Sequence, residues 1–284
     1  MSPSSLSPGR RGFTLVELLI SLVIGALIIT VVLKFVSGQT RLTTMQSGRE
    51  EVQQNARGAL EMVASDLRGA IPAGIEVGDA DAIEVMLPRR WGIVCSQVGT
   101  TQTVVAFPDV AQPTPVGADA GLLLQPLGTT NWLPLLPTRA TVADTTRLVA
   151  TTACAAQNPS GSLVAYRLTG ANHPAVAAGS TVALYQRVRY DVRTSRGEPW
   201  IHRSNGMSGG VFSMQPLAGP VDAAAGGISF TYFTGTPPVA LGAAPGGNAS
   251  TSALSQIRLR VRMKSRLGSN PQTEFDSATV QLRN

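Results

Sequence analysis

The sequence has few of the side chains that most metal and redox sites require. Its 284 residues include only two histidines and two cysteines, and charged residues make up 14% of the chain. This argues against a zinc or iron–sulfur site with several Cys or His ligands, and so few charges argue against a disordered or coiled-coil protein. The chain also lacks a Walker loop, a G-x-S-x-G motif and an H-E-x-x-H motif. We therefore expect neither an enzyme nor a bound cofactor or metal.

The charge that is present is basic, with 23 Lys and Arg against 17 Asp and Glu. Almost all of these cations are arginines, because the only lysines are Lys34 and Lys264. A basic balance permits binding to nucleic acid or to an anionic surface without demonstrating it. The length is sufficient for one or two domains with a substantial core.

One long apolar run lies near the N-terminus. Residues 13–33 contain a single ionisable side chain, Glu17, and the run ends at Lys34. About 20 apolar residues in a helix span a bilayer, and Arg10 and Arg11 before the run favour a cytoplasmic N-terminus. No small-x-small cleavage site of a secretory signal follows the run. We expect a single-pass anchor, with the large remainder of the chain on the far side of the membrane.

Glu17 is out of place in an ordinary membrane anchor. A carboxylate in hydrocarbon costs several kcal/mol unless it is neutralised or paired. No Lys or Arg lies one helical turn further in. The partner must come from elsewhere, and an amine created by cleavage before Phe13 in a neighbouring subunit could reach Glu17.

The residues around Glu17, RGFTLVELLI from Arg11 to Ile20, resemble the class III signal of type IV pilins and pseudopilins. The resemblance implies that prepilin peptidase cuts between Gly12 and Phe13 and methylates the new Phe13 amine. It also implies that Glu17 is the carboxylate that guides assembly. On this basis residues 1–12 are a cytoplasmic leader that is removed, and residues 13–36 cross the membrane.

The helical pattern continues beyond the membrane. Apolar residues recur at spacings of three, four and seven, and no proline interrupts the chain from Phe13 to Ile71. We expect residues 37–71 to form the amphipathic second half of one long helix, with its apolar stripe packed in the core. The stripe consists of Met45, Val52, Ala56, Ala59, Val63, Leu67 and Ala70.

Residues 72–284 are predicted to form a β-rich head. Short strand-like runs alternate with clusters of Gly, Pro, Ser and Thr, which predicts an α+β fold in which the helix packs on an antiparallel sheet, with insertions or a second small sheet. Residues 108–127 and 236–252 are expected to be loops. The predicted strands are Ala82–Leu87, Thr103–Phe107, Ser162–Leu168, Thr181–Val192, Ile228–Thr234, Ser255–Arg266 and Thr273–Leu282.

Two of the predicted strands place cations on one face. Alternation with apolar residues is the pattern of a strand with a charged outer face. Three interpretations remain open: a solvated face that deters aggregation, a docking surface for an acidic face of a neighbouring subunit, and a contact with DNA phosphates. The cations are Arg187, Arg189 and Arg193 in one strand and Arg258, Arg260, Arg262, Lys264 and Arg266 in the other.

The two cysteines, Cys95 and Cys154, both fall in the exported part. An even count in an oxidising compartment favours a disulfide between them, and two buried free thiols are the alternative. Neither His173 nor His202 lies in a motif that would make a cysteine nucleophilic.

Later segments resemble PilW-type minor pilins and, as an alternative, J-type minor pseudopilins of type II secretion. The resemblance implies a minor pilin that primes assembly and sits at the pilus tip on the cell surface. It implies other minor and major pilins, prepilin peptidase, the inner-membrane assembly platform and a tip adhesin as partners. A DNA-uptake pilin is a further alternative. The resembling segments are Ala56–Ile71, Leu184–Ser204, Pro216–Phe233 and Ile257–Arg266.

Overall fold

The computed structural model describes most of the chain and leaves several segments undescribed. The described residues are 14–70, 74–98, 102–108, 120–129, 131–135, 139–142, 154, 163–169, 176–207, 211–245, 254–266 and 272–282.

A long helix, α1, runs from Leu15 to Gly69, and its 55 residues give a length of about 82 Å. It begins at Thr14, whose extended backbone and side-chain oxygen cap the first turn. It ends before Ala70, which is again extended. The helix was predicted to end at Ile71, and the observed end at Gly69 lies two residues earlier. Ile71 itself lies outside the described residues.

Within the described residues, fourteen antiparallel strands form two sheets, and the strands of the first sheet all precede those of the second in sequence. The ten-stranded sheet contains β1 (Ile75–Gly78), β2 (Ile83–Val98), β3 (Gln102–Pro108), β4 (Ala120–Gln125), β5 (Leu133–Leu135), β6 (Arg139–Val142), β7 (Leu163–Thr169), β8 (Thr181–Ser195), β9 (Glu198–Met207) and β10 (Val211–Ala218). The four-stranded sheet contains β11 (Ile228–Thr234), β12 (Val239–Ala240), β13 (Leu254–Lys264) and β14 (Thr273–Gln281).

The long strands β2 and β8 organise the ten-stranded sheet. They pair from Ile83 opposite Tyr190 to Ile93 opposite Thr181. The end near the helix is flanked by β1 on one side and by β9 and β10 on the other. The far end is flanked by β3, β7 and β6 and by β4 and β5. We call this far end, with residues 90–98 and 181–186 of the two long strands, the distal lobe.

The main core lies between α1 and the two sheets. The buried helix residues include Val52, Val63 and Leu67, and they pack with apolar side chains of the four-stranded sheet and of the near ends of β2 and β8. Most of the contact made by α1 is with β13 and β14. The distal lobe has its own core around Phe107, Leu122 and Leu168, because its strands are too far along the sheet to reach the helix.

The predicted α+β class is confirmed, and so is the apolar helix stripe from Val52 to Ala70, whereas Met45 lies outside the core. Two predictions of loops are wrong. Residues 108–127 were expected to be a loop, but β4 lies within them at Ala120–Gln125. Its three leucines form a continuous run without alternation, since both faces of β4 are buried. The second expected loop, 236–252, contains the two-residue strand β12.

Candidate assembly site

The start of α1 places the acidic side chain Glu17 in its first turn. The Glu17 backbone N–H donates to the Thr14 side-chain oxygen at 3.3 Å, so the threonine occupies the N-cap position. Glu17 is exposed. A carboxylate near a helix N-terminus is favoured by the helix dipole. Gly12 and Phe13, the residues of the predicted cleavage, lie outside the described residues.

The first half of α1 is apolar and uncovered. Large side chains from Leu15 to Val36 are exposed, and the helix is long and apolar enough to cross a membrane. Hydroxyl groups in this half bond to backbone carbonyls of the preceding turn, as Ser21 does with Glu17 at 2.7 Å and Thr30 with Ala26 at 2.8 Å. Hydroxyls that are satisfied inside the helix are compatible with hydrocarbon. These features fit membrane anchoring.

The second half of α1 is covered by the head. Buried positions from Gly48 to Leu67 recur at helical spacing and face the sheets. Arg49 on the flank of this stripe lies 3.9 Å from Glu274 of β14, in an exposed ion pair that contributes little stability. Apolar burial therefore accounts for most of the attachment of the helix to the four-stranded sheet.

A polar cluster joins α1 to the ten-stranded sheet as well. The Asp66 carboxylate accepts hydrogen bonds from the Tyr190 hydroxyl of β8 and from Arg203 of β9, whose Nη2 lies at 2.9 Å. Burial, and then the hydrogen bond to Asp66, raise the pKa of Tyr190, so the phenol keeps its proton. The sequence analysis missed this cluster, although an acidic residue beside the buried Leu67 was a usable signal.

The arginines of β8 are all paired with carboxylates. Arg187 lies 3.0 Å from Glu76 of β1, and Arg193 lies 2.7 Å from Asp191. Arg189 lies 3.0 Å from Asp191 and 3.6 Å from Glu84 of β2. Within the described residues each of these three cations therefore contacts at least one carboxyl group of its own sheet.

Pairing and burial shift the pKa values of two of these acids in opposite directions. Burial, and then a hydrogen bond with Glu84, raise the pKa of Glu76 to about 7 against the opposing effect of Arg187. Burial also disfavours ionised Asp191, but the hydrogen bonds from Arg193 and Arg189 outweigh it and lower the pKa of that carboxyl. The Glu76 environment was not foreseen, because its partners Glu84 and Arg187 come from two other strands, β2 and β8.

The cations of β13 are arranged differently from those of β8. The two sets lie in different sheets, so the structure does not bring them onto one sheet face. Arg260, Arg262 and Lys264 are exposed at alternate positions of β13. Arg258 lies over the ring of Phe233, with 5.1 Å to the ring centroid. Beyond the strand, Arg266 pairs with Glu198 at 2.9 Å.

A disulfide joins Cys95 of β2 to Cys154, with a Cα–Cα distance of 5.4 Å. Both cysteines are buried, beside Val104, Ala106 and Ala165 on one face of the distal lobe. The bond therefore attaches Cys154 to the lobe.

The comparisons with known proteins identify the N-terminal segment. Residues 7–33 match the prokaryotic N-terminal methylation motif. The match indicates a type IV pilin-like or pseudopilin protein. It covers the predicted cleavage position, Glu17 and the exposed apolar half of α1. The comparisons with curated proteins and with solved structures found no match.

Proposed function

We propose that this chain is a minor type IV pilin, of the PilW type, that primes pilus assembly and sits at the pilus tip with other minor pilins. The observation that carries the proposal is the continuity of the methylation motif with α1. The motif spans residues 7–33, and the helix that starts within it is first apolar and exposed and then covered by a β-rich head. The proposed activity is assembly rather than catalysis.

In the proposed mechanism the chain enters the inner membrane with its leader in the cytoplasm. Prepilin peptidase cuts between Gly12 and Phe13 and methylates the Phe13 amine. Glu17 then pairs with the amine of a neighbouring subunit. The physical reason is the cost of an unpaired carboxylate in hydrocarbon, which an opposite charge at the same depth removes.

The head has a separate role in the proposal. Helices of several pilins bundle through their exposed apolar halves, and the assembly platform of the inner membrane extends the bundle. The heads then lie outside the membrane, first in the periplasm and finally at the cell surface. There the head, residues 72–284, contacts other pilins and a tip adhesin. The two cores and the disulfide support a head that keeps its shape outside the cell.

A minor pseudopilin of type II secretion is the second candidate, since the motif and the helix that support a pilin support a pseudopilin equally. The weaker resemblance of the later segments is also shared by both groups. A DNA-uptake pilin has less support, because three of the arginines that would contact phosphates are paired within the head.

Deletion of the gene in its own host, with complementation by the full chain, separates the candidates. We expect the deletion strain to lose surface pili and twitching motility while secretion of folded proteins continues. Loss of secretion with intact pili would replace the pilin by a pseudopilin. A strain in which both systems remain intact would contradict the proposal.

A further inference from the structure

The four-stranded sheet has an outer face whose cations are not compensated. Arg260, Arg262 and Lys264 project from the side of β13 opposite the helix, and none of the three forms an ion pair with a described residue. This differs from β8, where each arginine contacts a carboxylate. The chain therefore neutralises one row of cations internally and leaves the other in solvent.

The neighbouring strands add no described carboxylate to this face. Ser229 of β11 and Ser277 of β14 lie opposite Arg260, and Phe275 lies opposite Arg262. Glu274 and Asp276 of β14 flank Phe275 in sequence. Because side chains alternate along a strand, these two acids lie on the opposite side of the sheet, which faces the helix. Asp222 lies at the edge of the outer face, where its backbone N–H donates to the Arg262 carbonyl, but it forms no ion pair with a described cation. The described residues of the face therefore carry a net positive charge.

Phe275 is the unusual member of this face, because its exposed fraction is 72%. An exposed aromatic ring does not help to keep a sheet face solvated, because the ring itself is largely apolar. The cations of β13 also do not protect a sheet edge from pairing with another chain, since β13 is a central strand between β11 and β14. Arginine beside an aromatic side chain is instead the composition of interaction hot spots.

We propose that this face, the β13 cationic face (Arg260, Arg262, Lys264 and Phe275), docks an acidic surface of another protein subunit in the assembled complex. The inference rests on the proposed function, and it adds the surface and the chemistry of the partner. Complementary charge steers such subunits together and fixes their register, and the Phe275 ring supplies apolar contact.

The small number of cations on the β13 cationic face argues against nucleic acid as its ligand. Three cations neutralise about three phosphates, which gives a salt slope of about −2.7, whereas proteins that depend on phosphate contacts make roughly 6–10 of them. Arg258 of the same strand would add one contact, for a slope of about −3.6, but its guanidinium lies over the Phe233 ring. The arginines of β8 lie in the other sheet and are paired. A compact acidic protein surface fits three cations and one aromatic ring better.

Lys264 makes a direct test feasible. It and Lys34 are the only lysines of the chain, and Lys34 lies in α1. Complexes that contain the full chain are isolated from the host, treated with a carbodiimide, which joins an amine to a contacting carboxyl group, and analysed by mass spectrometry. We expect an isopeptide bond between Lys264 and an Asp or Glu of a co-purifying subunit. Lys264→Arg should abolish the link while the complex still forms.

Two matched variants test the charge. Arg260→Gln with Arg262→Gln should lower the yield of the link about fivefold or more, as expected for the loss of two ion pairs. Arg167→Gln with Arg196→Gln removes the same charge from exposed positions in β7 and in the β8–β9 turn. This control should leave the yield within about twofold, since exposed charges away from a contact change little. Phe275→Ser should also lower the yield.

Three results would overturn the proposal. The first is a link that persists at full yield in Arg260→Gln with Arg262→Gln. The second is the absence of any Lys264 link in complexes whose chain is cut before Phe13. The third is binding of a double-stranded DNA oligonucleotide that is lost in the same variant and whose log binding constant falls with log salt concentration with a slope steeper than about −5. A chain that is not cut before Phe13 would overturn the proposed function instead.

Discussion

Glu17 is the one carboxylate in the exposed apolar half of α1. If it pairs with the amine of a neighbouring subunit, Glu17→Val removes the charge that the amine requires. We expect the incorporation of the chain into isolated complexes to fall about tenfold or more, because breaking a desolvated ion pair costs several kcal/mol. Quantitative immunoblots of complexes and of total membranes measure this ratio.

Ser21→Val is the matched control for this prediction. It removes a polar group one turn further along the same helix, but the Ser21 hydroxyl already bonds to the Glu17 carbonyl and is not free for a partner. Incorporation should stay close to that of the unaltered chain. Undiminished incorporation of Glu17→Val would refute the assembly role of the carboxylate.

The carboxyl group of Glu76 makes stability depend on pH. Its pKa is raised from 4.5 to about 7 in the folded protein, so between these values the folded state binds more protons than the unfolded state. The free energy of unfolding should therefore fall as the pH rises from 4.5 to about 7. Glu76→Gln should flatten the fall, as measured by urea unfolding of the full chain in detergent. An equal slope in the variant would contradict the assignment.

At the scale of elements, Asp66 connects the helix to the sheet that it contacts least. Asp66→Asn should lower the free energy of unfolding by about 2 kcal/mol, since it leaves the partly buried Arg203 without its counter-charge. Glu61→Gln changes an exposed acid of the same helix and should shift stability by no more than about 0.5 kcal/mol. Equal effects of the two substitutions in urea unfolding would show that the Asp66 cluster is not stabilising.

The disulfide is expected to act on the distal lobe. In the chain-entropy model, a loop of 59 residues is worth about 4 kcal/mol. Cys95→Ser with Cys154→Ser should therefore increase hydrogen exchange in β3 and β7 more than in β13 and β14, which belong to the other sheet. Uniform loss of protection in both sheets would mean that the lobe does not open separately.

The elements differ in how far the sequence predicts them. The helix was predictable because its stripe is periodic and no proline interrupts it. Strands β11, β13 and β14 alternate clearly, since each has one face in the core and one in solvent. The leucines of β4 do not alternate, and β1 is only four residues long. Their status as strands depends on long-range pairing with β8 and β2.

The functional residues divide in the same way. Gly12, Phe13 and Glu17 form a local motif that a linear reading can find. Whether a cation is free depends on which carboxylates the fold brings beside it. The similar alternation of cations in β8 and β13 gave one expectation for both strands, although Asp191 interrupts the row in β8. The structure pairs the first set and exposes most of the second.

At the scale of the whole molecule, the chain keeps an exposed apolar helix segment apart from two packed cores. The first half of α1 is exposed and apolar, the second half is covered by the four-stranded sheet and the near ends of β2 and β8, and the distal lobe has a core of its own. A protein arranged in this way can place a large head on a helix bundle without changing the bundle. This is the reason for proposing a tip subunit.

The most direct test of this account is the intact mass and N-terminal sequence of the protein from membranes of its own host. The account predicts a chain that begins at Phe13 and is about 14 Da heavier through one methyl group on its amine. Its Cys95–Cys154 disulfide should survive alkylation without reductant. A chain that still begins at Met1 in a host with active prepilin peptidase would contradict the account and leave a membrane-anchored β-rich protein.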